Sequence, residues 1–285
     1  MDCRVTLAQT NPTLGNLAAN LRDHVERIRA ATAAGSQLIV FPELSLTGYF
    51  LKDQTVDLAL PLGAKELDEL ATLSKSISIV VGFVERSKDG RIYNSVAFFE
   101  DGRVLAVHRK VHLVTYGMFD EQREFAAGEE FRAIESKLGR FGVLICEDAW
   151  HVSSGYQHFL NNVDTLLVPS NSPGRGIGGG ESDLQSRRTW NTLLESHGRF
   201  FQTWVVYANR VGWEDGVVFS GGTRIVDPFG DVACALDGFD AGTLQGRVES
   251  RTLERARVMT PLRRDAKPWI LAEALKRGLA KDGGA

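Results

Sequence analysis

The sequence predicts an α/β protein in which a mixed sheet, or two sheets, carries helices on its outer faces. Two observations lead there. Apolar periodicity alternates along the chain between the two-residue repeat of strands and the 3.6-residue repeat of helices. Some strands also follow one another across tight turns, which a purely parallel sheet does not allow.

Val5 to Ala8 reads as the first strand. Asn16 then caps a helix whose apolar stripe is Leu17, Leu21, Val25 and Ile28, and Gly35 ends it. Leu38 to Phe41 is continuously apolar, as in a strand buried on both faces. A second helix is expected from about Ala64 to Ser76, and a strand from Ile77 to Val84. Ser95 to Glu100 and Arg103 to Val107 flank Asp101-Gly102, the dipeptide of a type I′ hairpin turn. Further strands are expected at Phe141 to Ile145, Thr165 to Val168, Thr203 to Ala208, Val217 to Phe219, Thr223 to Val226 and Leu244 to Val248. A long helix begins after Gly180, with Ser182 and Gln185 as a capping box and Leu194, His197 and Phe201 on one face. Pro268 to Leu279 reads as a closing amphipathic helix. Residues 1–285 are read as one domain with a C-terminal extension from about residue 249.

Composition narrows the function. With 285 residues, 43% hydrophobic and 24% charged, the chain can bury a core without staples. A net charge of −3 gives no nucleic-acid footprint. No apolar run approaches the ~18 residues of a membrane span. Met1-Asp2-Cys3-Arg4 leads straight into a strand pattern, without the basic and apolar regions of a signal peptide. Three cysteines, Cys3, Cys146 and Cys234, do not make a disulfide framework and point to a reducing, cytoplasmic setting.

Three segments place unusual residues where apolar strands end. In Phe41-Pro42-Glu43 a glutamate follows directly on a buried strand, at the edge where clefts of α/β proteins form. The plain alternative is a solvated loop carboxylate. In Val107 to Leu113, strand alternation puts His108, Lys110 and His112 on one face. A basic edge strand would look the same. A metal held by His108 and His112 is not expected, since no cysteine or carboxylate cluster supports the pair. In Gly142 to Trp150 a strand delivers Cys146 into the acidic turn Glu147-Asp148 ahead of a helix. That geometry exposes a nucleophile and presents the next backbone N–H to an oxyanion. A buried core cysteine is the alternative, and the acid pair beside it is hard to bury. Glutamate can act as base to a thiol if burial raises its pKa, and lysine can hold a developing oxyanion. Glu, Lys and Cys together make a workable acyl-transfer site.

FPELSLTGY, HRKVHL and GVLICEDAW resemble the three catalytic motifs of the nitrilase superfamily, in that family's order and spacing. The resemblance runs from LAQTNPTLGNLAAN to Asn209-Arg210-Val211-Gly212 and Asp227-Pro228-Phe229-Gly230. It implies a four-layer αββα sandwich, commonly dimerised through helices around the cysteine motif. It implies hydrolysis of a carboxamide, nitrile or carbamoyl amine through a thioester, with no cofactor. Glu43 would be the proton carrier, Cys146 the nucleophile, and Lys110 with the Glu147 N–H the oxyanion holder. Glu121 would buttress the lysine. Within the superfamily, TYGMFDEQREFAAG, ICEDAW and Asn171-Ser172-Pro173 most resemble the glutaminase domain of glutamine-dependent NAD synthetases. There Tyr116, Glu147, Trp150 and Ser172 would line the glutamine pocket.

Two departures bear on substrate. Ser220-Gly221-Gly222 resembles a synthetase ATP loop, but Thr223-Arg224 follows it instead of Asp-Ser. The basic residue that family carries six positions after its serine is Gly178 here, with Arg175 or Arg187 as substitutes. The expected substrate is therefore a small amide other than free glutamine, acted on by a homodimer or higher homo-oligomer. A glutaminase subunit serving a separate synthetase is the alternative, and a catalytically inactive interaction protein on this scaffold is a third reading. Cys146-Glu147-Asp148 differs from the Cys-Trp-Glu of nitrilases proper. Gly174 to Gly179 formally matches GxGxxG, but the strand before it ends at Pro169 and Glu195 falls inside a helix, so no dinucleotide is expected.

Overall fold

A computed structural model describes residues 2–176 and 184–282. The first sheet takes β1 (Asp2–Gln9), β2 (Leu38–Val40), β3 (Ser78–Arg86), β4 (Ile92–Glu100) and β5 (Arg103–Arg109). The second takes β6 (Ile134–Ser136), β7 (Gly139–Val143), β8 (Thr165–Ser170) and β9 (Trp204–Asn209). A separate hairpin, β10 (Val211–Glu214) and β11 (Val217–Ser220), follows. β12 (Thr223–Val226) and β13 (Val232–Leu236) complete the second sheet, and β14 (Gly242–Glu249) returns to pair antiparallel with β1. Both sheets have six strands, in the orders β14-β1-β2-β3-β4-β5 and β13-β12-β9-β8-β7-β6.

The alternation of side chains along these strands generates four layers. Val5, Leu7, Val40, Val80 and Phe98 face Phe141, Val143, Leu167, Trp204 and Val206 between the sheets. The Phe98 and Phe141 rings meet there at 5.4 Å. The intervening residues Ile39, Ile79, Val81 and Phe83 point outward onto α1 (Leu17–Ala33) and α2 (Lys65–Leu73). On the other side Leu166, Val168, Val205 and Tyr207 meet Trp190 and Leu194. These two belong to α4 (Gln185–Phe201), which follows α3 (Val152–Leu160). The result is the αββα sandwich implied by the motifs.

Local signals explain most boundaries. The Asn16 side chain accepts the Ala19 N–H and opens α1, and Gly35 past its end has φ +75°. Asp101 and Gly102, both at positive φ, make the expected turn. Four expectations shift. The strand through Lys110 ends at Arg109, where Gly128 comes so close that a Cβ on it would lie 2.3 Å from the Arg109 carbonyl oxygen. The long helix starts at Gln185, after Leu184. Ser182 and Gly178 lie outside the described residues. β6, β10 and β13 were not anticipated, being short or, for β13, largely exposed. The closing helix, α6 (Pro268–Asp282), leaves Trp269, Ile270, Leu271 and Leu275 exposed, whereas α5 (Ser250–Met259) packs Leu253 into the core between the sheets. Among the described residues no helix is long and apolar enough to cross a membrane.

One buried histidine underpins the loop after β2. His24 of α1 stacks on Phe41 at 4.0 Å. Its Nδ1–H donates to the Asn20 carbonyl (2.7 Å), so Nε2 accepts the Ser45 hydroxyl (2.9 Å). Burial lowers its pKa to about 4. The unfolded chain therefore takes up a proton below about 6.5 that the folded state refuses until about 4, and stability falls as pH falls through that window. His24→Gln should be less stable at pH 7 yet lose less Tm between pH 7 and pH 4.5 than the parent does. Parallel Tm–pH curves would contradict this.

Candidate active site

The three motif residues stand at three strand ends drawn from both sheets. Glu43 follows β2 and Lys110 follows β5 in the first sheet, and Cys146 follows β7 in the second. Glu43 and Lys110 are 0% and 1% exposed. The Lys110 Nζ donates to Glu43 Oε1 and to Glu121 Oε1, each at 2.7 Å. Glu43 also accepts Asn94 Nδ2 (2.7 Å) on Oε1 and the Asn171 N–H (2.8 Å) on Oε2. Glu121 is held by the Tyr49 hydroxyl (2.6 Å) and the Val114 N–H (3.0 Å).

Two tight turns aim these groups. Cys146 has φ +47°, a left-handed conformation that strains a residue bearing a Cβ by roughly 1–3 kcal/mol. It opens a short 3-10 turn, Cys146–Trp150, rather than continuing the strand. Leu44, next to Glu43, has φ +45°. That second turn lies against β3 so closely that a Cβ on Gly82 would sit 2.4 Å from the Leu44 nitrogen and 2.5 Å from the Pro42 oxygen.

The electrostatics follow from two carboxylates, one ammonium and a thiol enclosed together. Burial would lower the Lys110 pKa, but Glu121 and Glu43 hold it well above the ordinary value. Glu43 is raised by burial, with Lys110 opposing and Glu121 adding. Burial and the Glu43 carboxylate push the Cys146 thiol well up. Both effects disfavour the thiolate, so a sulfur in this setting needs a base if it is to act as a nucleophile.

A cavity of about 140 Å³ opens on Cys146 and Lys110. Tyr116, Glu147, Trp150 and Ser172 are among the residues that line it. The Tyr116 hydroxyl bonds to the Glu147 carboxylate at 3.0 Å, and Trp150 meets Trp190 edge to face. Ser172 is held by its N–H to Asn209 Oδ1 (2.8 Å). Arg175 also lines the cavity, its guanidinium 5.5 Å from the Phe119 ring centre. Arg187, the other substitute for a basic residue at 178, is not among the lining residues and donates to the Ser220 carbonyl (2.6 Å). Tyr49, Asn94, Phe119 and Trp190 were not foreseen as site residues. A larger cleft, about 690 Å³, runs beside β5 and holds none of the eight candidate residues. The histidines of the second motif are committed separately: His108 pairs with Asp148, and His112 stacks on His151 at 3.6 Å.

The carbon–nitrogen hydrolase family model matches residues 4–258, and the chain belongs to that family. It is a hydrolase of carbon–nitrogen bonds. It is 34% identical over 236 residues to the glutamine-dependent NAD(+) synthetase of Acinetobacter baylyi, covering 83% of this chain and 42% of that one. It is 36% identical over 237 residues to the same-named protein of Thermotoga maritima, covering 80% and 39%. The chain thus spans about two fifths of the length of these relatives. A carbon–nitrogen hydrolase of Helicobacter pylori superposes with TM-score 0.86 at 21% identity, covering 96% of this chain and 98% of that one.

The close approach at Gly82 makes a testable point. Gly82→Ala should displace the Glu43 turn and lower kcat about 100-fold, a typical loss for a misplacement near 1 Å. Cys146 should remain alkylated by iodoacetamide. An unchanged kcat would show that the turn can yield without moving Glu43.

Proposed function

We propose that the protein is an amidase that cleaves a small carboxamide through a thioester on Cys146. The observation that supports this most is a strained cysteine turn at a cavity backed by a buried glutamate–lysine pair. Glu43 takes the Sγ proton as sulfur attacks the carbonyl carbon. Lys110 Nζ and the Glu147 N–H hold the oxyanion, while Glu121 keeps the lysine charged and in place. As the C–N bond breaks, Glu43 gives its proton to the departing nitrogen. Glu43 then deprotonates a water that cleaves the thioester, and the proton returns to sulfur. The proposal includes one catalytic domain and a homodimer or larger assembly. Val152 and Phe200, exposed on helices beside the cysteine turn, are consistent with such contacts.

A second reading, a glutaminase passing ammonia to a separate synthetase, is favoured by the Arg175 guanidinium at the cavity. The first reading rests on the sequence, which has Gly178 where the glutaminase domains it resembles carry a basic residue. Desolvating an unpaired carboxylate is costly. Comparing kcat/KM for glutamine, short aliphatic amides, ω-amides and N-carbamoyl amines, in the parent and in Arg175→Ala, separates the two. Efficient glutamine hydrolysis that collapses in Arg175→Ala would establish the second.

Cys146→Ala should abolish turnover, while Cys3→Ala and Cys234→Ala retain it. Glu43→Gln should cost several orders of magnitude, and Lys110→Arg should not rescue what Lys110→Ala loses, since a planar fork cannot replace a compact ammonium. Because Glu43 acts as a carboxylate and burial raises its pKa, kcat/KM should fall with decreasing pH from above the ordinary glutamate range of ~4.3. An acid limb that survives in Glu43→Gln would assign the base elsewhere.

A further inference from the structure

We propose that Asp148 is a positioning residue that sets Lys110 of one sheet in register with Cys146 and the Glu147 N–H of the other. The inference rests on the oxyanion roles given above. Lys110 and the Glu147 N–H must converge on one oxygen, yet they come from strands β5 and β7, which no hydrogen-bond ladder joins. Away from a few polar links such as the Asn171 N–H to Glu43, the two sheets meet through apolar side chains such as Phe98 and Phe141. Such contacts are not directional and do not by themselves fix registry to a fraction of an ångström.

Asp148 supplies directional bonds across that gap. Its carboxylate is 0% exposed. Oδ2 accepts the Ile145 N–H (3.0 Å), just before the nucleophile, and Nε2 of His108 (3.1 Å). Oδ1 accepts the N–H groups of Val111 (3.1 Å) and His112 (2.8 Å), just after the lysine. The Asp148 N–H closes the cysteine turn on the Ile145 carbonyl (3.0 Å). A carboxylate has about four acceptor sites, and all are used. Three of the donors are backbone groups flanking Lys110 or Cys146, and the fourth, His108, lies two residues before Lys110. Asparagine cannot substitute: its NH2 would face N–H donors on one side. Asp148 touches neither the cavity nor the thiol, so it acts only through the groups it holds.

The test compares amide turnover with alkylation of the thiol, which needs no oxyanion site. In Asp148→Asn, kcat for the best amide should fall about 100-fold with KM within threefold of the parent. Iodoacetamide should still label Cys146 selectively, at a rate within threefold of the parent. Loss of labelling selectivity, with Cys3 and Cys234 reacting in parallel with lost activity, would mean general unfolding and overturn the proposal. So would a kcat within threefold of the parent. If Asp148→Asn does not fold, His108→Leu removes one of the four donors from the edge of the network. It should lower kcat about tenfold at unchanged KM, and an unaltered kcat there overturns the proposal too. Turnover that survives Cys146→Ala would instead remove the underlying amidase reading, and the outcomes are thus distinguishable.

Discussion

The site depends on one buried ammonium. Lys110 is placed in the sandwich with two carboxylates at 2.7 Å and is the cation that both of them share. Removing the lysine would leave Glu43 and Glu121 facing each other in a water-poor space. Removing either glutamate would leave the lysine with one counter-charge. Burial, with the Glu43 carboxylate adding, pushes the Cys146 thiol well up, and burial likewise raises Glu43 against the pull of Lys110.

Around this centre the fold does little more than deliver strand ends. Pairing of β1, β2 and β3 in one sheet, and of β7, β8 and β9 in the other, puts Glu43, Cys146 and Asn171 at neighbouring strand termini. The Asn171 N–H, from the second sheet, bonds to Glu43 Oε2 in the first. Leu44 is fully buried, whereas Cys146 is half-buried and keeps one side on the cavity. The Glu214 carboxylate adds support from the β10–β11 hairpin by accepting the N–H groups of Tyr49 and Phe50, at 2.7 and 2.6 Å. Tyr49 in turn reaches Glu121.

What was legible in the sequence was what motifs and periodicity encode. Glu43 and Cys146 each follow an apolar strand, Lys110 follows a basic edge strand, and alternation along Trp204 to Ala208 separates the residues between the sheets from those under α4. Tyr49 and Asn94 escaped notice because their roles exist only across the fold, 72 and 51 residues from their partners. Gly82 falls inside the expected strand Ile77 to Val84, and nothing in the sequence marks the turn that packs against it. Asp148 was visible as an acid beside Cys146, but its four donors come from segments on both sides of the site. Arg175 and Arg187 were equivalent in sequence, and only packing showed which one reaches the cavity.

The most direct measurement of the central claim is peptide mass analysis after rapid acid quench of the enzyme turning over its best amide. The account predicts an acyl adduct on the Cys146 peptide during turnover, absent from Cys146→Ala and from the peptides of Cys3 and Cys234. Steady turnover with no adduct on any cysteine, or an adduct on Cys3 or Cys234 with Cys146 unmodified, would contradict it.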